Sequence, residues 1–590
     1  MRSLVAAIAL LGVRTGALPL AARGTPSVDL GYAVYEGTHD SQSGINIFKG
    51  IRYAAPPVGN LRFAAPQPPL ENRTATIPAT TDGPFCPQSG AGKDTPTEYG
   101  FNSALGNEDC LYLNVYAPSN ATNLPVFFWI HGGGYALFTA QGLDPTEFMI
   151  TNSAEGSFVS VIIQYRLGAF GFLSSDDVKK DGALNAGLLD MNFALQWVQK
   201  HVKSFGGDPA RVTIAGESAG GAAVMYQAMA YGGAQNVSLF NNIIAASPWV
   251  PAQHDYNGDV PTQAYDDFTE AAGCSNATNT LQCLRDSDTE TLQNASAKVS
   301  EASAFGSFAF LPVTDGSFVQ DLPSSELLGK SLSGKCLLSG NMANEGVPLS
   351  PPTTVTLEDF REYVSYTFPY FSATDMAELE DLYSYEGDDQ DTDPSAPVYQ
   401  TDGTSGVTAV NQSAFSTGQQ QRVFNVFAES TFVCPSYWLA SAFPQAWKYQ
   451  FSAGPAFHGY DLQALWSGTK TPGASFKHAF RKAWGNFIIH DNPTISVADA
   501  NGGAAESIVP EGANGMIDWP VWSEEAPILL NLNATGGNAA YNNVTEYLKY
   551  YTYSDPGVVN VISTADADAW EGGRGERCKW WLANAKKVPY

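Results

Sequence analysis

A chain of 590 residues, 44% of them hydrophobic, is long enough to bury a large core, and 59 acidic against 31 basic side chains leave a formal charge of -28. That charge argues against nucleic acid or an anionic membrane as a partner and favours solubility. Length alone would suggest several domains, but α/β folds often exceed the usual domain size.

At the N-terminus, Arg2 precedes the apolar run Leu4 to Val13, and small residues follow at Ala17, Ala21 and Ala22. The run is too short to span a bilayer stably and has the order of a signal peptide, read here as residues 1–17 with cleavage between 17 and 22. No other stretch approaches transmembrane length, so the expectation is a secreted, extracellular, soluble product with no membrane span. Sequons at Asn72, Asn120, Asn236, Asn276, Asn294, Asn411, Asn533 and Asn543 fit N-glycosylation of such a product. Its seven cysteines invite pairing in an oxidising compartment.

The apolar run Val126-Phe127-Phe128-Trp129-Ile130 predicts a buried strand that runs into His131-Gly132-Gly133-Gly134-Tyr135. Three successive glycines weaken a regular element by roughly 0.5 to 1 kcal/mol each. They make sense if the N–H groups of Gly133 and Gly134 must approach a substrate carbonyl closely, as an oxyanion hole requires. Further on, Trp197-Val198-Gln199-Lys200-His201 reads as an amphipathic helix with His201 on its polar side. Val212-Thr213-Ile214 is a strand run followed by Gly216-Glu217-Ser218-Ala219-Gly220 and the small-residue segment Gly221 to Tyr226. Strand, sharp turn and helix are the context a G-x-S-x-G nucleophile elbow needs, with Ser218 as nucleophile and the N–H of Ala219 as a third oxyanion donor. A helix N-terminus beneath the serine also favours developing negative charge.

A serine nucleophile needs a base, and the base an orienting acid. Of the seven histidines, His458 is the candidate, since Trp447-Lys448-Tyr449-Gln450-Phe451 reads as an alternating strand whose following loop delivers it. The apolar strand Lys335-Cys336-Leu337-Leu338-Ser339 likewise precedes a loop carrying Glu345, the candidate acid, with Asp461 as the alternative. Ser218, Glu345, His458 is the chain order of α/β hydrolases. Between these segments, residues 386–406 are rich in Asp, Gly, Ser and Pro, and the run Asp388-Asp389-Gln390-Asp391 reads as a solvated loop rather than a cation site. Neither a metal nor a nucleotide motif is present, and no repeat or coiled coil. Strands alternating with helical segments predict an α/β fold with a mostly parallel central sheet and helices on both faces.

These motifs resemble the type-B carboxylesterase and lipase family, the cholinesterase and fungal-lipase group of α/β hydrolases. The resemblance runs through Phe48 to Ala54, Pro56 to Phe63, Glu108 to Val115, Tyr165 to Leu173, Asn185 to Asp190 and Phe205 to Pro209, then past the elbow through the Glu345 loop, Phe432 to Pro435, the His458 loop and Trp519-Pro520. It spans roughly residues 30–580. Met191-Asn192 stands where Gln usually follows the aspartate, and His201 where Asn is common; neither touches the chemistry. The resemblance implies a single catalytic domain over 25–590, a Ser218, Glu345, His458 triad, an oxyanion hole from Gly133, Gly134 and Ala219, and no cofactor. It also implies pairing of Cys86 with Cys110, Cys274 with Cys283 and Cys434 with Cys578, leaving Cys336 as a buried thiol.

The implied function is hydrolysis of small, neutral carboxylic esters through a serine acyl-enzyme. A true lipase or sterol esterase is the nearest alternative. A non-catalytic adhesion-type relative is disfavoured by retention of the triad and glycines. Serine carboxypeptidases resemble an elbow with Tyr after the serine, where Ala219 stands here. In this family the loop closed by the first disulfide can serve as a lid. Here it holds 23 residues, among them Lys93, Asp94, Glu98, Glu108 and Asp109, and only Tyr99, Phe101 and Leu105 as large apolar side chains besides prolines. At about 25 cal/mol per Å² so little apolar area gains little from opening at an oil surface. Esters of short to medium acyl chains, hydrolysed without interfacial activation, are expected.

Overall fold

The computed structural model describes residues 25–95, 101–235, 238–384, 408–410, 412–502, 508–544 and 548–588. The signal-peptide reading, the sequons at Asn236 and Asn411, Glu98 and Tyr99 of the first disulfide loop, and the acidic run 388–391 fall outside these residues.

Val-, Ile- and aromatic-rich runs pack well on a pleated surface and form most of the strands. In chain order these are β1 (Ser27–Asp29), β2 (Ala33–Glu36), β3 (Thr38–Asp40), β4 (Ile45–Arg52), β5 (Asn72–Pro78), β6 (Tyr112–Pro118), β7 (Leu124–Ile130), β8 (Val159–Ile163), β9 (Gly207–Glu217), β10 (Asn242–Ala246), β11 (Cys336–Met342), β12 (Gln445–Phe451), β13 (Ile528–Asn543) and β14 (Lys549–Asp566). Eleven of them form one sheet in the order β14-β13-β12-β11-β10-β9-β7-β8-β6-β4-β3, and β1, β2 and β5 form a small second sheet. From β8 to β13 the pairing is parallel, while both flanks are antiparallel. The fold is α/β, as the sequence predicts.

A parallel sheet covered on both faces reads as continuous apolar runs. Along β7, Phe128 and Ile130 enter one core, while Phe127 and Trp129 enter the other, beside Phe480 and Trp484 of helix Ala474–His490. This arrangement corrects the expected alternation in β12. Lys448 and Gln450 are as buried as their apolar neighbours, because Lys448 Nζ donates to Asn341 Oδ1 at 2.6 Å and Gln450 Oε1 accepts from Arg574 and Trp570. Burial, then the nearby Arg574 charge, lowers the Lys448 pKa well below its ordinary value. His201 is corrected too. It is buried at the end of helix Ala186–His201 against Trp197 and Tyr32, and burial pushes its pKa down to about 4.

Disulfides Cys86–Cys110, Cys274–Cys283 and Cys434–Cys578 are formed, and Cys336 is a buried free thiol on β11. Of the described sequons, Asn72, Asn120, Asn276, Asn294 and Asn543 are exposed and Asn533 is half-buried. Among the described residues no helix is long and apolar enough to cross a membrane.

Candidate active site

In an open α/β sheet, ligands bind beyond the carboxyl ends of the strands. The register aligns Ile130 with Gly216, Gly216 with Ala245, and Ala245 with Ser339, so β7, β9 and β10 end at one level, while β11 and β12 run on together to Met342 and Phe451. β7 there delivers the glycine segment, β9 the elbow, β11 the Glu345 loop and β12 the His458 loop.

Ser218 has φ 60° and ψ −126°, a strained conformation for a residue with a side chain. Strand β9 enters it, and helix Ala219–Met229 leaves it. The strain is held by Ser218 N donating to Ala246 O at 3.0 Å and by Trp249 N donating to Ser218 O at 3.1 Å. Gly220 must be glycine because a Cβ there would lie 2.2 Å from the carbonyl oxygen of Ile130. Gly133, at φ 102°, would place a Cβ 2.4 Å from Leu137 O. Without side chains, the two turns pack against each other at the strand ends.

The structure brings Ser218, His458 and Glu345 into one line. His458 Nε2 lies 2.8 Å from Ser218 Oγ, and Nδ1 lies 2.6 Å from Glu345 Oε2. Glu345 is fully buried, and its other oxygen accepts the Met342 N–H at 2.6 Å. Asp461 is also buried, but burial, then the charges of Glu217 and Glu345, raise its pKa well above the ordinary value, and its Oδ1 has no hydrogen-bond partner among the described residues. His458 Nδ1 bonds Glu345, so Glu345 fits the part of orienting acid better. His131 is not placed as a base. Burial pushes its pKa down to about 4, its ring stacks on Tyr165, and Tyr165 donates to its carbonyl.

Two neighbours escaped the sequence reading. Glu217, only the variable position of the elbow motif there, is buried with Oε1 3.4 Å from His458 Nε2, and burial followed by the Glu345 charge raises its pKa well above the ordinary value. Its one signal was a glutamate closing the apolar and small-residue run Val212 to Gly216, whose strand is buried on both faces near its end. The Phe432 ring packs at a tilt against His458 with ring centroids 4.2 Å apart. The two N-terminal signatures also become physical. Arg62 pairs with buried Glu108 and Arg52 with Asp109, so these carboxylates anchor the base of the first disulfide loop. No group of three or more His, Cys, Asp or Glu side chains among the described residues is placed to hold a metal ion.

The profile of the carboxylesterase family matches residues 25–548. Lipase 4 of Diutina rugosa is 30% identical over 540 residues, covering 84% of this chain and 91% of that protein. The secreted triacylglycerol lipase LIP1 of Gibberella zeae is 28% identical, covering 84% and 85%. Among solved structures, EstA of Aspergillus niger is 26% identical with a TM-score of 0.72, covering 96% of this chain and 99% of that one. The chain belongs to the carboxylesterase family and is a carboxylic ester hydrolase.

Proposed function

We propose that this member of the carboxylesterase family is a secreted esterase in which residues 25–590 form a single catalytic domain and Ser218, His458 and Glu345 act as a triad on neutral esters. The observation that carries the proposal is the line Ser218 Oγ, His458 Nε2, His458 Nδ1, Glu345, with both links at hydrogen-bond distance. His458 takes the Ser218 proton as Oγ attacks the ester carbonyl, and Glu345 holds the imidazole in the tautomer that can accept it. The N–H groups of Gly133, Gly134 and Ala219 receive the oxyanion. His458 then protonates the leaving alcohol, and water releases the acid by the same steps.

An apolar cavity adjoins the segment that braces Ser218. A cavity of about 490 Å³ is lined by Trp249, whose N–H holds the Ser218 carbonyl, and by Phe308, Phe310, Phe427 and Thr431. That apolar lining suits an acyl chain. A second reading, true lipase, is favoured by the names of the two fungal relatives. Against it stands the first disulfide loop. Gly92 N and Lys93 N donate to Ser307 O and Ser303 O, and Gly306 N donates to Thr95 Oγ1, so this loop is fastened to the segment behind it. Leu105 is its one exposed large apolar side chain among the described residues. Rate against tributyrin concentration through its solubility limit tests the choice. A smooth curve and a preference for short or medium acyl chains are expected. A sharp rise at the limit, or preference for long-chain triglycerides or sterol esters, would establish the lipase or sterol-esterase reading instead.

A further inference from the structure

The imidazole of His458 has an aromatic neighbour that the proton relay leaves without a task. The Phe432 ring is fully buried, its centroid 4.2 Å from that of His458 and tilted by 40°. Phe432 belongs to a π-helical turn, Glu429–Val433, inserted between helices Gly418–Ala428 and Cys434–Ala442. Such widened turns re-aim side chains and recur at functional sites.

This turn is held from two sides. Val250 N, next to Trp249, donates to Thr431 O at 2.8 Å. From the other side the fully buried Glu429 carboxylate accepts from Arg577 at 2.6 and 2.7 Å, from Arg574 at 3.0 Å and from the Tyr383 hydroxyl at 2.7 Å. Burial opposes ionisation of Glu429, but Arg577 and then Arg574 overcome it and hold its pKa below the ordinary value. Both arginines lie in helix Trp570–Ala583, beyond residue 548 where the family match ends, and Cys434–Cys578 binds the same two segments covalently. A buried ion cluster is weak evidence for stability, since its desolvation cost rivals its attraction. What it does here is fix the place of one ring.

We propose that Phe432 is a positioning residue for His458, its ring taking up the imidazolium formed when His458 removes the Ser218 proton, and that the Glu429, Arg574 and Arg577 cluster keeps the ring in place. The proposal rests on the triad reading above. As the bond from Ser218 Oγ to the carbonyl carbon forms, the Oγ proton moves to Nε2 and the carbonyl electron pair moves onto oxygen, leaving a positive ring in a buried site. An aromatic ring attracts a cation within about 6 Å of its centroid, more strongly when both are desolvated. Neutral imidazole gains less, so the contact strengthens towards the transition state, the condition under which it raises kcat rather than lowering KM. Glu345, Glu217 and Asp461 also act on this ring and are unchanged in the variants below.

Phe432→Leu keeps an apolar side chain of similar bulk and removes the ring, whereas Phe432→Tyr keeps the ring. On a soluble short-chain ester, Phe432→Leu should lower kcat by about five- to thirtyfold, the range set by a contact of this kind, with KM within about twofold. Phe432→Tyr should restore kcat to within about threefold. Should Phe432→Leu fail to fold, a series of fluorinated phenylalanines at 432 keeps the shape while draining negative potential from the ring, and log kcat should fall steadily with fluorination. Full kcat in Phe432→Leu, or a flat fluorination series, would overturn the proposal. Ser218→Ala measured alongside separates the two levels: if it stays active, the triad reading has failed; if it is dead and the series is flat, only the part given to Phe432 has failed.

Discussion

Ser218 and His458 meet across 2.8 Å, yet their surroundings are built in opposite ways. The elbow is nearly local: Gly216 to Gly220 and the two elements that flank it form the turn, and Ala246 and Trp249 at the adjacent strand end hold the serine's backbone at φ 60°. The histidine side is assembled from remote parts. Glu345 comes from the β11 loop, Asp461 from the histidine's own loop, Glu217 from β9, Phe432 from a π turn, and the turn's anchor from the last described α-helix. The nucleophile's turn is thus written in a few contiguous residues and braced only by the neighbouring strand ends at Ile130 and Ala246 and by Trp249, whereas the base depends on packing across hundreds of positions and is open to damage from far away.

The sharpest way to break this contrast is to remove one group from each side. Ser218→Ala should cost on the order of 10⁶ in kcat with the melting temperature unchanged, because a single hydroxyl facing the site is lost. Activity within about tenfold of wild type would remove Ser218 from the mechanism. On the other side, Glu345→Gln should cost about 10⁴ through a misoriented imidazole, and Asp461→Asn no more than about tenfold. The reverse order of these two losses would make Asp461 the orienting acid.

The remote character of the histidine side predicts that the Cys434–Cys578 bridge matters to catalysis as well as stability. Replacing both cysteines by serine should cost about 2 to 5 kcal/mol in unfolding free energy and lower kcat. The Cys274–Cys283 bridge closes a much shorter loop, 9 against 144 residues, worth about 2.5 kcal/mol less on the chain-entropy account. Its loss should leave kcat unchanged. Denaturant melts and kcat on the two double variants decide this, and equal kcat losses would erase the contrast.

The smallest effect concerns Glu217. Burial and the Glu345 charge raise its folded pKa well above the ordinary 4.5, so the folded chain keeps a proton that the unfolded chain releases. Its contribution is present at low pH and is lost as pH rises above 4.5 towards the folded value. Glu217→Gln should therefore flatten the decline of melting temperature with rising pH and raise it near neutrality. An unchanged pH slope would show that Glu217 is ionised in the folded protein.

The same contrast explains what the sequence made legible. The elbow and the glycine segment are contiguous, and their chemistry demands small residues at fixed spacing, so five letters identify them. The parallel sheet showed itself in runs such as Val126 to Ile130. Lys448, Gln450 and His201 were misjudged because polar letters read as solvated, while their burial depends on partners over 100 residues away or on aromatic rings packed in tertiary contact. Glu217 and Phe432 stood in quoted motifs without a task, since nothing local shows that a glutamate and a phenylalanine 215 positions apart close on one imidazole.

Trapping the covalent adduct of the nucleophile tests the central claim most directly. A fluorophosphonate, or an ester whose acyl-enzyme deacylates slowly, is mixed with the protein, which is then digested and the peptides weighed. A single adduct on Ser218, absent in Ser218→Ala and formed at least 10³ times more slowly in His458→Ala, is the result expected. An adduct on any other residue, or ester turnover with Ser218 never modified, would contradict it.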